Sequence, residues 1–172
     1  MPFEELHLRY YGDPVLRRKA ADIDTFDAAL AKRAETMFEI MYENDGIGLA
    51  ANQVGLLSRL VVLDVHLDDD NRIRLALCNP RILAKQGEDV AEEGCLSIPD
   101  VRADVSRSDT LTVEAEGLDG KTIKFEAEGL LARAIQHEVD HLDGILFIDR
   151  LSASRRKLLE GRLKEIAREH SS

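Results

Sequence analysis

The chain has 172 residues, of which 44% are hydrophobic and 33% charged, with no Trp and a formal net charge of −10. That length suits one domain, residues 1–172, with a core of useful size. The acidity excludes a sequence-specific nucleic-acid binder, which needs a basic footprint, and the apolar runs, such as Leu60 to Leu63, are far too short for a membrane span.

The opening MPFEELHLRYYGDP lacks the basic-then-apolar order of a secretory signal, so a cytoplasmic location is expected. From Asp27 to Glu43, Leu30, Ala34, Met37, Phe38 and Met41 recur at three- and four-residue spacing, which predicts an amphipathic helix ending at the turn-forming Asn44-Asp45-Gly46. SRLVVLDV and IRLALCNP then read as short strands split by a polar turn from Asp68 to Asn71. Cys78, inside the second run, reads as a small buried hydrophobe. Residues 109–127 alternate apolar and polar around Leu118-Asp119-Gly120, the pattern of a hairpin. A second helix is expected from about Gly129 to Leu142, with Gly144 just beyond its end, and a third from Ser152 as N-cap to about Glu169. Strands early, a helix in mid-chain and a helix at the end predict an α+β fold rather than a βαβ repeat.

The stretch QHEVDHLDG, from Gln136 to Gly144, carries the chemistry. On a helix, His137 and His141 project from one face one turn apart, while Glu138 is rotated by about 100° from His137. Two ligands with a proton carrier beside them suit metal-activated water. Two histidines need a third donor, and the residues leave two candidates. Glu160, downstream, would make a zinc endopeptidase, although it sits where acidic and basic residues interleave as on a solvated helix face. Cys95, in AEEGCLSIP, would supply a thiolate suited to Zn²⁺ or Fe²⁺. A non-catalytic metal-binding protein is a further alternative. It would require a fourth protein ligand, and His7, His66 and His170 lack metal-site neighbours.

Three segments, GIGLAANQ (Gly46 to Gln53), EGCLS (Glu93 to Ser97) and QHEVDHLDG, occur in the order of the three motifs of the peptide deformylase family, which the chain resembles from YGDPVLR to its helical tail. The resemblance implies antiparallel sheets packed around a central metal-binding helix, with helices at either end. It implies that Cys95, His137 and His141 hold one Fe²⁺ per chain, replaceable by Ni²⁺, Co²⁺ or Zn²⁺, and leave the fourth corner open. It further implies that Glu138 carries protons while Gln53 and the Leu96 N–H stabilise an oxyanion, so that formyl-methionine at the start of newly made polypeptides is hydrolysed to formate and a free amine.

The lining of the methionine pocket implied by the resemblance comprises Ile47, Leu49, Leu96, Leu130, Ala134 and the flank of His137. Arg133 joins that wall through its aliphatic stem, with its guanidinium expected in solvent. Gly46 and Gly48 let a substrate backbone come close, with Gly94 likewise leaving room beside Cys95. Glu93 and Arg102 are expected at the substrate groove. The tail from Ser154 to His170 has six basic residues against three acidic ones. The resemblance makes it a helix that docks on the ribosome; an ordinary solvated helix is the alternative. The expected protein is a monomer with no membrane attachment.

Overall fold

The periodicity of the first helix is realised as α1 (Ala28–Glu43), capped by Asp27, whose side chain accepts from the Leu30 N–H at 2.9 Å. The protein is described here by a computed structural model covering residues 5–170, so the first residues of the expected leaderless start lie outside the described residues. Beyond α1 the chain builds β1 (Gly48–Ala50), β2 (Leu60–His66), β3 (Arg72–Gln86), β4 (Asp89–Cys95), β5 (Ile98–Arg107), β6 (Thr110–Glu116) and β7 (Thr122–Glu128). Two further helices follow, α2 (Gly129–Leu142) and α3 (Ala153–Glu169).

Five strands form one antiparallel sheet in the order β1-β2-β3-β6-β7, while β4 and β5 form a separate pair. The larger sheet is a central layer. Val61, Leu63 and Val65 of β2 pack with Leu131, Ala132, Ile135 and Leu142 of α2, whereas Leu60 and Val62 pack with Met37, Phe38 and Met41 of α1. A strand buried on both faces needs no polar alternation, which accounts for the unbroken run LVVL. Cys78 is buried on the α1 side. A third cluster joins Ile98, Val101 and Val105 of β5 to Phe147, Ile148 and to Leu163 and Ile166 of α3.

The expected hairpin is present, with Val113 opposite Phe125 and Gly120 in the turn at φ 81°. The strand expected over IRLALCNP continues further, to Gln86. Its register shifts between Cys78 and Arg81, where Asn79 takes φ 51° and its side chain bonds both the N–H and the carbonyl of Ile23. That irregularity admits Pro80, which has no N–H to give a ladder. Helix α2 stops at Gly144, which combines φ 76° with a space where a Cβ would lie 2.5 Å from the Arg17 carbonyl oxygen. Either condition alone selects glycine. Among the described residues no helix is long and apolar enough to cross a membrane.

Candidate metal centre

Cys95 ends β4, and Leu96-Ser97 turn the chain back so that Cys95 lies opposite Ile98. This hairpin presents the thiol to α2, where His137 and His141 are both buried. Cys95 Sγ lies 3.3 Å from His141 Nε2, which lies 3.2 Å from His137 Nε2. A tetrahedral cation bound at about 2.0–2.1 Å to nitrogen and about 2.3 Å to sulfur separates its ligand atoms by about 3.3–3.6 Å. The three donors therefore fit a divalent metal in both spacing and chemistry. Among the described residues this is the only group of His, Cys, Asp and Glu side chains so arranged. Glu160 remains exposed on α3 and outside the cluster, so the peptidase ligand set is not assembled.

Glu138 is buried next to the donors, and its Oε1 has no hydrogen-bond partner. Burial is the main cause that raises its pKa to about 7; the charge of Glu93 adds to the rise and His137 opposes it. Gln53, on the turn after β1, accepts the Ala50 N–H on Oε1 at 2.9 Å. Its Nε2 must therefore face the hairpin, where it donates to Ser97 Oγ at 3.1 Å and reaches Cys95 Sγ at 3.5 Å.

The electrostatic support is more elaborate than the motifs suggest. His137 Nδ1 lies 2.9 Å from Glu93 Oε1, an arrangement that holds the proton on Nδ1 and leaves the Nε2 lone pair for the centre. Arg107 forks onto the same carboxylate, Nε to Oε2 at 2.9 Å and Nη2 to Oε1 at 3.0 Å, and its Nη1 donates to Asp140 at 2.6 Å. Asp140 in turn accepts two bonds from Arg150. Burial alone would raise the Glu93 pKa, but the His137 and Arg107 hydrogen bonds prevail and hold it down at about 2. Burial and the charge of His137 push His141 below its ordinary value. For His137 burial is outweighed by the charge of Glu138 and the contacts with Cys95 and Glu93, so its pKa is raised.

A cavity of about 620 Å³ opens onto this centre between β1, the β4–β5 hairpin and α2. Of the expected pocket residues, Ile47, Gly48, Leu96, Leu130, Ala134 and His137 line it, with Gly94 and Arg102 on the hairpin side. Leu49 does not. It is opposite Val62 and wholly buried against α1, because strand alternation sends its side chain to the other face from Gly48.

Arg133 differs from expectation at its head group, and Glu93 lines the cavity as well but turns its charge inward. Arg133 lines the cavity, yet its guanidinium is buried and spent on protein acceptors instead of reaching solvent. Glu93 is a buried acceptor for Arg107, Arg133 and His137, so its charge is already committed to protein groups. The space that Gly46 and Gly48 leave open is taken by the protein itself, by the Leu96 side chain and the Glu138 carboxylate respectively. Sequence reasoning missed Arg107 and Asp140; the aspartate lies within the helix motif, but nothing local marks its distant partner.

An antiparallel sheet laid on a helix that supplies two histidines, with a thiolate from a neighbouring hairpin and a spare carboxylate alongside, defines a metal-dependent hydrolase. Residues 5–157 match the family model for polypeptide deformylase. The peptide deformylase of Acidobacterium capsulatum is 45% identical over 158 residues, 92% of this chain and 93% of that protein. That of Syntrophobacter fumaroxidans is 47% identical over 159 residues, 92% and 94% of the two chains. The crystal structure of the Thermus thermophilus peptide deformylase superposes with a TM-score of 0.88 at 38% identity, covering 95% of this chain and 98% of that one. The chain belongs to the polypeptide deformylase family.

Proposed function

We propose that the chain is a metal-dependent deformylase acting on newly made polypeptides, removing the formyl group from their N-terminal formyl-methionine and releasing formate. The observation that carries this reading is the convergence of Cys95, His137 and His141, the first two lining the cavity, with Glu138 Oε1 unpartnered beside them. Those three residues would hold one Fe²⁺, with Ni²⁺, Co²⁺ or Zn²⁺ as replacements, since a thiolate and two imidazoles accept each of these ions. When bound, the ion supplies Lewis-acid polarisation and activates water at neutral pH.

The chain's own groups carry the remaining work. Glu138 Oε1 takes a proton from the attacking water and delivers it to the leaving amine nitrogen. Gln53 Nε2, its orientation fixed by the Ala50 N–H, donates to the developing oxyanion together with the Leu96 N–H. Loss of one such donor costs about 2.7–4 kcal/mol of transition-state stabilisation. The methionine side chain enters the cavity beside Ile47, Leu96, Leu130 and Ala134, and the peptide follows the free edge of β1 towards Arg102.

The whole of 1–172 serves as one catalytic domain and acts as a monomer, a reading supported by a donor set that one chain can complete. A cytoplasmic location belongs to the same reading, supported by a substrate that is met where polypeptides are made. Ribosome association through α3 is part of the same reading. It is supported by Arg155, Lys157 and Lys164, which remain exposed on that helix in an otherwise acidic protein.

The test is anaerobic purification, loading with Fe²⁺ and incubation with a formyl-Met peptide. The expected products are formate and a new amino terminus in equal amounts. Cleavage of an internal peptide bond without formate release would replace this reading with the peptidase one.

A further inference from the structure

Arg133 faces two ways. Its stem lines the cavity that would take the methionine side chain, while its guanidinium is buried among protein acceptors. Nη1 donates to Glu93 Oε2 at 2.5 Å and to the Val105 carbonyl at 2.9 Å. Nη2 donates to the Asp89 carbonyl at 2.7 Å and to Asp89 Oδ2 at 3.3 Å. These acceptors lie on β4 and β5, so one side chain of α2 ties down both strands of the hairpin that carries Cys95.

We infer that Arg133 is a positioning residue for the metal centre: it clamps Glu93, and through Glu93 the His137 ring, while locking the Cys95 hairpin onto α2. The inference rests on the reading of Cys95, His137 and His141 as the metal donors.

Arg107 alone does not supply this restraint. Its fork fixes Glu93 relative to β5, on the same hairpin, and its bond to Asp140 reaches α2 one turn beyond His137. Arg133 reaches the hairpin from one turn before His137, so the two arginines bracket the ligand along the helix. With both in place Glu93 accepts from two guanidinium groups and an imidazole, and it cannot rotate away from Nδ1 without breaking charged hydrogen bonds. Removing Arg133 takes one of the two donors from Glu93 Oε2, leaving Arg107 Nε alone there, and loosens the hairpin at Asp89 and Val105 together. Outer partners of this kind typically change metal affinity about 10–100-fold.

The test compares wild type with Arg133→Leu, Arg133→Gln and Arg133→Lys, each as the full chain loaded with Co²⁺. The readouts are the rate of Co²⁺ loss to a chelator, the visible Co²⁺ spectrum, and kcat and KM for a formyl-Met peptide. Arg133→Leu and Arg133→Gln should lose the ion at least tenfold faster with an altered spectrum, and kcat should fall more than KM rises. Arg133→Lys, which restores a cation to Glu93, should come closer to wild type. Should Arg133→Leu not fold, Arg133→Gln, whose amide can still cap the Val105 or Asp89 carbonyl, is read in the same way.

Wild-type retention and spectrum in the neutral variants, with only KM changed, would make Arg133 a pocket wall and overturn the inference. Equal loss in all three variants, lysine included, would mark a packing role and overturn it too. Retention of Co²⁺ by His137→Ala would instead remove the donor assignment on which the inference rests.

Discussion

The carboxylate of Glu138 occupies the space that a side chain on residue 48 would fill: a Cβ added to Gly48 would lie 2.6 Å from Glu138 Oε2 and 3.0 Å from Leu63 Cδ2. The glycine is thus required by the Glu138 carboxylate of the chain itself, whatever a substrate demands. Gly48→Ala should displace the Glu138 carboxylate and lower kcat at least tenfold while metal content stays at wild-type level. Glu138→Gln removes the proposed proton acceptor without adding bulk and should cost about 10²–10⁴-fold in kcat, the usual share of general acid–base catalysis. Metal analysis and formate assays on both proteins check this; near-normal turnover in metal-loaded Glu138→Gln would remove Glu138 from the chemistry.

Cys95 and Glu160 answer differently to removal. Cys95→Ala takes away the only donor supplied by the hairpin and should lose metal and activity together. Glu160→Ala, on the exposed side of α3, should change stability by no more than about 0.5 kcal/mol and leave turnover intact. The Fe²⁺ form should also lose activity in air, because the thiolate and the iron can both be oxidised, whereas the Zn²⁺ or Ni²⁺ form should persist. Metal content and formate release before and after aeration decide the matter.

Asp149 sets a pH dependence of stability. Its carboxylate accepts from Arg17 at 2.5 Å, from Arg156 at 2.7 Å and from the Leu146 N–H at 2.9 Å, tying the segment after α2 to the N-terminal turn and to α3. Partial burial opposes ionisation, but those donors outweigh it and hold the pKa below its ordinary 3.8. A folded-state pKa below the unfolded one stabilises the fold fully above the unfolded value, and the contribution disappears as pH falls through the folded value. Asp149→Asn should therefore be destabilised at pH 7 by about 1–3 kcal/mol, as expected for hydrogen bonds to a charged group. The gap from wild type should narrow below pH 3.8. Chemical denaturation across that range measures it; a constant gap would mean that the carboxylate charge contributes nothing.

The proposal that α3 associates with the ribosome is best tested by charge and not by deletion. Leu163 and Ile166 are buried against β5, so truncation after Arg150 would open the third core cluster. Reversal of Arg155, Lys157 and Lys164 to Glu leaves that packing in place. The triple variant should co-sediment less with ribosomes at low salt while its turnover of a free formyl peptide is unchanged. Undiminished co-sedimentation would assign the helix a purely structural role.

The three helices were legible because their apolar positions recur at helical spacing and each has a recognisable terminus, such as Asp27, Ser152 and Gly144. The donor set was legible through its motifs. The β4–β5 hairpin was not, because Glu92, Glu93 and Gly94 interrupt any apolar alternation on β4 just before Cys95. Glu93, Arg107 and Arg133 look like surface charges in sequence, since burial of a charge depends on partners that are remote along the chain. Leu49 was misplaced for a simpler reason: even beside a residue that lines the cavity, the face of a strand cannot be assigned until its register is known.

The division of the donors between hairpin and helix has a consequence for assembly. Cys95 and His141 are 46 residues apart in the chain, and β6 and β7 are made between them. During synthesis only one of the three donors, the Cys95 thiol, is available to an ion until α2 has emerged, and the cluster that braces β5 against α3 closes only once Ile166 is available. All three donors can meet only after long-range docking, the slowest kind of contact for a chain to form. An ion held by all three donors would therefore be acquired late, and its presence would report that the hairpin has docked on α2.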